Sequence, residues 1–170
     1  MKTIKIILGV ITIFVLAFFL TGLFVKETTY QIDVTINKPI SQVFSIFNNP
    51  ENIDKWIPEI REINVINDNL GKTGSTYRIV IDNKGQDIVM VQKVMAFVKN
   101  EKVTLFFDAQ NMFKKDDYIF KEKDGVTTIQ LSTSCRSDSY IMACVFPYFK
   151  STFKAQDQGY LNNFKAYIEN

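Results

Sequence analysis

From Ile6 to Val25 the chain reads IILGVITIFVLAFFLTGLFV, a run without one charged side chain. A helix rises about 1.5 Å per residue, so this run reaches roughly 30 Å, the hydrocarbon thickness of a bilayer. Fifteen of its residues are Leu, Ile, Phe or Val. At a few tenths of a kcal/mol each, their summed preference for the bilayer is about 5 kcal/mol or more. A cleaved secretory leader begins in a similar way, with basic residues such as Lys2 and Lys5 ahead of an apolar stretch. Here the stretch is longer than the usual ~7–15 residues, and no small-x-small cleavage pattern precedes Lys26. No Cys near its end offers a lipid attachment point. The expected organisation is a short N-terminus over 1–5, a single-pass anchor over 6–25, a linker over 26–29 and one domain over 30–170. Lys2 and Lys5 precede the span, whereas Lys26 after it is followed at once by Glu27. Basic residues stay on the cytoplasmic side, so the expected location is the membrane, with the N-terminus in the cytoplasm and the domain outside it.

The remaining stretch of about 145 residues suits one domain with a single core. Lys2 and Lys5 account for the whole excess of 20 basic over 18 acidic residues, so the domain itself is neutral. It lacks the basic stripe that gives nucleic-acid binders their affinity, and no nucleic-acid partner is expected. Histidine is absent, which excludes imidazole relays and imidazole metal ligands. Only Cys135 and Cys144 could supply thiolates, too few for a tetrahedral zinc site, so neither a metal nor another cofactor is expected. In an oxidising compartment these two cysteines either pair or stand as separate half-buried thiols.

Lys26 to Thr29 makes a linker too short to let the domain stray more than about 15 Å from the bilayer surface. Residues 30–36 alternate, with Ile32, Val34 and Ile36 on one face, and predict a half-buried strand. Asn37-Lys38-Pro39 breaks it. Ile40, Val43, Phe44 and Phe47 then recur at helical spacing, and Glu51 to Trp56 predicts a second helical turn ending before Pro58. Turn-forming clusters at 70–74, 83–85, 99–101, 110–111 and 124–125 separate six predicted strands, over 61–68, 74–82, 86–98, 102–109, 114–122 and 126–135. Short connections between them imply an antiparallel meander with one apolar face. The last predicted element is a long helix with Phe149, Phe153, Leu161, Phe164 and Ile168 on one stripe and Tyr160 beside it. Such a stripe needs a concave sheet to cover it.

The order of elements, an α+β arrangement, is that of the helix-grip fold. The segment VTINKPISQVFSIFNNPENIDKWIPEI, residues 34 to 60, resembles the opening of the START-like SRPBCC superfamily, also called polyketide cyclase/dehydrase-like proteins. Val43, Phe44, Pro50, Trp56 and Pro58 fill its pattern, with Ile57 between the last two. Gly71 and Gly74 match the glycine-bearing turn before the third strand, and YLNNFKAYIEN resembles the terminal helix. The resemblance spans residues 31–170, and its motifs are structural, not catalytic. It implies a curved sheet of about seven strands around the long helix, with a largely apolar cavity between them. Pockets of that kind, roughly 300–1,000 Å³, suit a hydrophobic small molecule or lipid.

Within that frame Trp56 is either a core plug or a ligand contact where the short helices meet the sheet. Tyr77, Phe107, Tyr118, Phe120 and Leu131 project from the strands toward the helix, as ordinary core or as cavity lining, and Phe153 and Tyr160 face them from the helix. Asp157 lies midway between Phe153 and Leu161, on the stripe that faces the sheet. A buried carboxylate must be paired, hydrated or at a cavity, with Arg78 and Lys93 as conceivable partners; otherwise the helix turns it to solvent. Asp116-Asp117 and the pair Asp82 and Asp87 sit near predicted hairpin ends, where solvated charge is normal. The apolar segment Tyr140–Phe149 is too short to span a bilayer and must be covered, by the cavity mouth, by the lipid interface or by internal packing. The leading expectation is a tethered, non-catalytic binding domain for a lipid or hydrophobic small molecule. A cyclase or dehydratase using a cavity acid is the alternative, and an envelope interaction protein with a filled cavity is the third; no protein partner can be named.

Overall fold

In the computed structural model, which describes residues 2–170, the apolar run forms one helix, α1 (Lys2–Phe24), that starts four residues before the uncharged stretch. It is long and apolar enough to cross a membrane, a test that a signal sequence near an N-terminus also passes. Only Gly22 of α1 is buried, so nearly the whole cylinder lacks a protein partner. Strand β1 (Thr28–Ile36) follows and alternates without a fault, burying Thr28, Tyr30, Ile32, Val34 and Ile36. It opens two residues earlier than its apolar pattern, which shortens the connection to α1 to three residues.

Helices α2 (Ile40–Phe47) and α3 (Ile53–Trp56) flank a short 3-10 turn that begins at Pro50. The six-strand meander is then β2 (Ile60–Asn67), β3 (Thr76–Asn83), β4 (Gln86–Val98), β5 (Lys102–Ala109), β6 (Met112–Lys123) and β7 (Val126–Arg136). β1 closes against β7, giving one antiparallel seven-stranded sheet in the order β1-β7-β6-β5-β4-β3-β2. Two hairpins use two-residue loops, Lys84-Gly85 and Asp124-Gly125, with all four residues at positive φ. That is the backbone whose twist matches the flanking strands, and glycine holds it without a Cβ penalty. Register shifts between Val94 and Ala96 and within β2 bend the sheet.

Helix α4 (Tyr140–Val145) and a 3-10 turn (Phe146–Phe149) lead into α5 (Lys150–Glu169), which packs along β1. Lys165 Nζ donates to the Thr35 carbonyl at 2.6 Å and Gln158 Nε2 to that of Asp33 at 3.2 Å. The buried stripe of α5 is Asp157, Leu161, Phe164 and Ile168, with Phe153 half-buried. Phe149 departs from the expected stripe: it precedes α5 and is exposed, because the 3-10 turn at Pro147 rotates it away. Cys135 and Cys144 are both buried and unbonded.

The main core lies between α5, the short helices and the sheet. Phe47 is its hub, stacked on Trp56 (centroids 5.3 Å apart) and edge-on to Tyr118 (4.9 Å), Phe120 (5.3 Å) and Phe164 (5.4 Å). Ile129, Leu131 and Leu161 complete the packing around it.

Candidate functional site

Parity along β6 divides the inner face of the sheet in two. Tyr118 and Phe120 point into the aromatic core, and two and four residues earlier the same face carries Asp116 and Lys114. Tyr30 of β1 and Thr133 of β7 share that face, and α5 lowers Asp157 onto it. The outcome is a polar node inside the grip. Lys114 Nζ lies 2.9 Å from Asp157 Oδ1 and 2.9 Å from Asp116 Oδ2. Tyr30 donates its hydroxyl to Asp157 Oδ2 at 2.7 Å, and Thr133 donates to Asp116 Oδ1 at 2.8 Å. All four carboxylate oxygens are thus engaged. Asp116 is 2 % exposed and Asp157 6 %. The ring of Phe107 completes the surround, 6.0 Å from the ammonium.

One cation between two carboxylates leaves the node one negative charge in excess. Burial, reinforced by the neighbouring Asp157, raises the Asp116 pKa despite the opposing pull of Lys114. Burial pulls the Lys114 pKa down, but the two carboxylates outweigh it and hold the ammonium well above its usual range. Burial likewise raises the Tyr30 and Tyr118 hydroxyls and pushes the Cys135 thiol up to about 12, which leaves it unreactive. A carboxyl whose folded pKa is raised binds its proton more tightly in the native state, so its contribution to stability falls as pH rises from about 4. Asp116→Asn is therefore expected to flatten the pH dependence of the melting temperature above pH 4 relative to the native chain; an unchanged profile would contradict the assignment.

The partner of Asp157 differs from expectation. Arg78 lies 3.6 Å from Glu62, and Lys93 is exposed on β4. Both belong to the far half of the sheet, whereas α5 packs along β1 and sets Asp157 over Lys114 of β6. Asp116 is also corrected: β6 begins at Met112 and continues past it, so Asp116 is an interior strand residue and not a solvated hairpin end. Its neighbour Asp117 does face outward, where Lys102 pairs with it at 3.0 Å. Asp82 and Asp87 both meet Arg61, at 2.8 and 3.3 Å, beside the exposed hairpin.

The other expected site residues separate into groups. Trp56, Tyr118, Phe120 and Leu131 are buried against one another in the core. Phe153 is half-buried and packs edge-on to Phe146, with centroids 5.7 Å apart. Tyr77 lies outside the core, beside Asp68 of the β2–β3 loop. Tyr160 accepts from Gln156 Nε2 at 2.7 Å, and burial near Glu59 raises its pKa to about 12. The Trp56 indole nitrogen and Glu59 Oε2 are buried without a hydrogen-bond partner among the described residues. Asn163 Nδ2 reaches the Trp56 carbonyl at 3.3 Å and so ties α5 to α3 beside the aromatic core.

Large aromatics from α2, α3, α5 and the strands interdigitate in the main core, within the region where the resemblance implies a cavity. Two surface depressions lie outside that core. One of about 340 Å³ sits on the sheet among Thr29, Gln31, Lys115, Asp117, Ser132 and Ser134, and one of about 130 Å³ lies beside Phe106, Phe113 and Arg136. Among the described residues no cluster of His, Cys, Asp and Glu is placed to hold a metal ion.

No family model matches the sequence, and no curated protein matches it. Solved structures do. The chain is similar to the Zhui aromatase/cyclase of Streptomyces sp. R1128, with a TM-score of 0.72 and 11% identity over 84% of this chain and 94% of that one. It is similar to a START superfamily protein from Mycobacterium smegmatis, with a TM-score of 0.69 and 14% identity over 83% and 97%. A di-domain aromatase/cyclase, StfQ, of the steffimycin biosynthetic pathway matches with a TM-score of 0.69 and 8% identity, over 84% of this chain and 51% of that one. A bent seven-stranded antiparallel sheet gripping a long terminal helix, shared with these proteins at such low identity, gives this chain the helix-grip fold of the START superfamily and the polyketide aromatase/cyclases.

Proposed function

We propose that the chain is a membrane-tethered helix-grip domain that takes a hydrophobic small molecule or lipid between its sheet and α5 without covalent chemistry. The observation that carries this reading is a pair of buried polar atoms beside the core: among the described residues the Trp56 indole N–H has no acceptor, and Glu59 Oε2, near the Tyr160 hydroxyl, has no donor within hydrogen-bond distance. Buried polar atoms are nearly always partnered, and each exception costs about 1–3 kcal/mol. A ligand bearing a hydroxyl or carbonyl would supply what they lack, with the aromatic core accepting its apolar body. The likeness to aromatase/cyclases and to a START protein agrees with such a use of the fold.

Entry requires the filled interior to open, and the ties on α3 permit that. Polar contacts holding the short helices to α5 include Asn163 to the Trp56 carbonyl and Tyr167 to Asn52, at 3.3 and 3.1 Å. The other end of α5 is latched by the Lys114 node. In this reading α1 spans the bilayer with the N-terminus in the cytoplasm, and the three-residue connection to β1 keeps the domain at the outer surface. The dense aromatic packing favours a second reading, in which the interior stays filled and the domain works as an envelope interaction module.

Trp56 is the sole tryptophan and decides between them. With the full chain in lipid nanodiscs, a brominated fatty acid is expected to quench Trp56 saturably while brominated phospholipid of the disc leaves it unchanged. Emission indifferent to the fatty acid at saturating concentration would sink the binding reading and leave the interaction module.

A further inference from the structure

The segment Tyr140–Phe149 carries no charge, and it does not fold back over the aromatic core. It packs on the last turns of α1. Phe18 stacks on Tyr148 with centroids 6.0 Å apart, and Phe19 on Tyr140 at 6.2 Å. Tyr140 donates its hydroxyl to the Phe19 carbonyl, and Thr21 Oγ1 reaches the Cys144 carbonyl at 3.5 Å. Gly22 makes the approach possible: a Cβ there would stand 2.4 Å from Cys144 Sγ and 3.2 Å from Tyr140 Cε2. Apolar side chains of the segment nonetheless stay open, with Ile141 61 % exposed, Phe149 49 % and Tyr148, even stacked on Phe18, 58 %.

Depth follows from the helix geometry. The residues of α1 that touch this segment, Phe18 to Gly22, lie two to six residues before its end at Phe24. At about 1.5 Å per residue that is roughly 3–9 Å below the helix end. A segment docked at that level, beside a helix that spans the bilayer, cannot remain in water. Its exposed apolar side chains are continuous with the exposed apolar surface of α1, and its tyrosines are the residue type favoured at a membrane interface. The charged residues flanking it, Asp138 and Lys150, are exposed and mark its limits.

We infer that Tyr140–Phe149 is a second membrane-contacting element, lying in the interfacial layer of the bilayer against the end of α1, with Ile141, Tyr148 and Phe149 in lipid. This rests on the reading of α1 as a spanning helix. Together with the three-residue connection between α1 and β1, the element gives the domain two points of attachment. It also fixes which end of the sheet meets the membrane: β7 leads into α4 there, and Ser137 binds the Asn111 carbonyl of the β5–β6 hairpin at the same end.

The test uses the full chain in phosphatidylcholine–phosphatidylglycerol vesicles whose acyl chains are brominated either near the glycerol or near the methyl end. The unsubstituted chain, with Trp56 alone, supplies the baseline. Tyr148→Trp is expected to add a blue-shifted emission quenched more by bromines near the glycerol than by those near the methyl end, and shielded from aqueous acrylamide. Phe14→Trp, at the middle of α1, is expected to show the opposite lipid preference. If Phe14→Trp behaves so but Tyr148→Trp emits as a water-exposed indole open to acrylamide, the second contact is overturned while the anchor stands. If neither is quenched by lipid, the spanning reading of α1 falls and takes this inference with it.

Discussion

Lys114→Met is expected to cost the domain about 3–5 kcal/mol, the penalty for leaving buried charge without its counter-ion. The substitution preserves much of the side chain's length and removes only the ammonium, so packing against Phe107 changes little. It leaves Asp116 and Asp157 facing the same space with only Tyr30 and Thr133 as donors. For a chain of this length each kcal/mol is worth about 2–4 °C, so the melting temperature should fall by about 6–20 °C. The companion substitutions order the argument. Asp157→Asn leaves Lys114 and Asp116 as a balanced pair and should cost about 1–2 kcal/mol, chiefly the charge-assisted bond from Tyr30. Asp116→Asn removes the excess negative charge while keeping an acceptor for Thr133, and should fall within about 1 kcal/mol of the native chain. Thermal unfolding of the full chain followed by circular dichroism reads all three. If Lys114→Met melts with the native protein, the node is not an ionic latch.

The same node bears on the acid-catalysed alternative. A general acid must present its proton to a substrate, and here Asp157 meets Lys114 with one oxygen and Tyr30 with the other. As arranged, the group ties α5 to β1 and β6. A role in proton transfer would require that latch to come apart.

How far these features could be read from residues depended on how local their causes are. β4 and β5 fall where turn residues and alternation put them, because Gly85 and Asn100 sit at positions that demand positive φ. The place of Asp157 on the helical stripe raised the choice between burial and exposure at the helix edge without deciding it, and α5 buries it. Its partner was not visible there, because that depends on which strands lie beneath α5, a consequence of β1 closing onto β7. Lys114 does carry a signal in the sequence: it shares parity with Tyr118 and Phe120 and therefore faces inward. Hairpin proximity was the weaker criterion for Asp116, since strand length, not turn position, decides which charges reach water. The interior volume had no sequence signature at all. Periodicity identifies a face, but whether two faces enclose a hollow or interlock depends on how Phe47, Trp56 and Phe164 fit together.

Phe164→Ala is expected to reopen that space. Phe164 is fully buried and stands edge-on to both Phe47 and Trp56, with centroids 5.4 and 5.3 Å apart. Truncation removes apolar burial and leaves a hollow that the rigid sheet cannot collapse, at a cost of about 3–5 kcal/mol. An apolar hollow on the order of 100 Å³ stays dry and accepts a molecule the size of benzene. The variant should therefore melt well below the native chain and regain part of the loss in benzene-saturated buffer, since a ligand that binds only the folded state stabilises it by mass action. Trp56, deprived of an aromatic neighbour, should change its emission and change it again when benzene enters. The native chain makes the comparison decisive for function. If it too is stabilised by benzene, its core already yields to apolar guests, as a ligand-binding grip requires. If only the variant responds, the aromatic packing is rigid and the domain must act through its surface. A loss below about 1 kcal/mol in Phe164→Ala would contradict both, because it would mean that α5 does not depend on the aromatic core to hold its place.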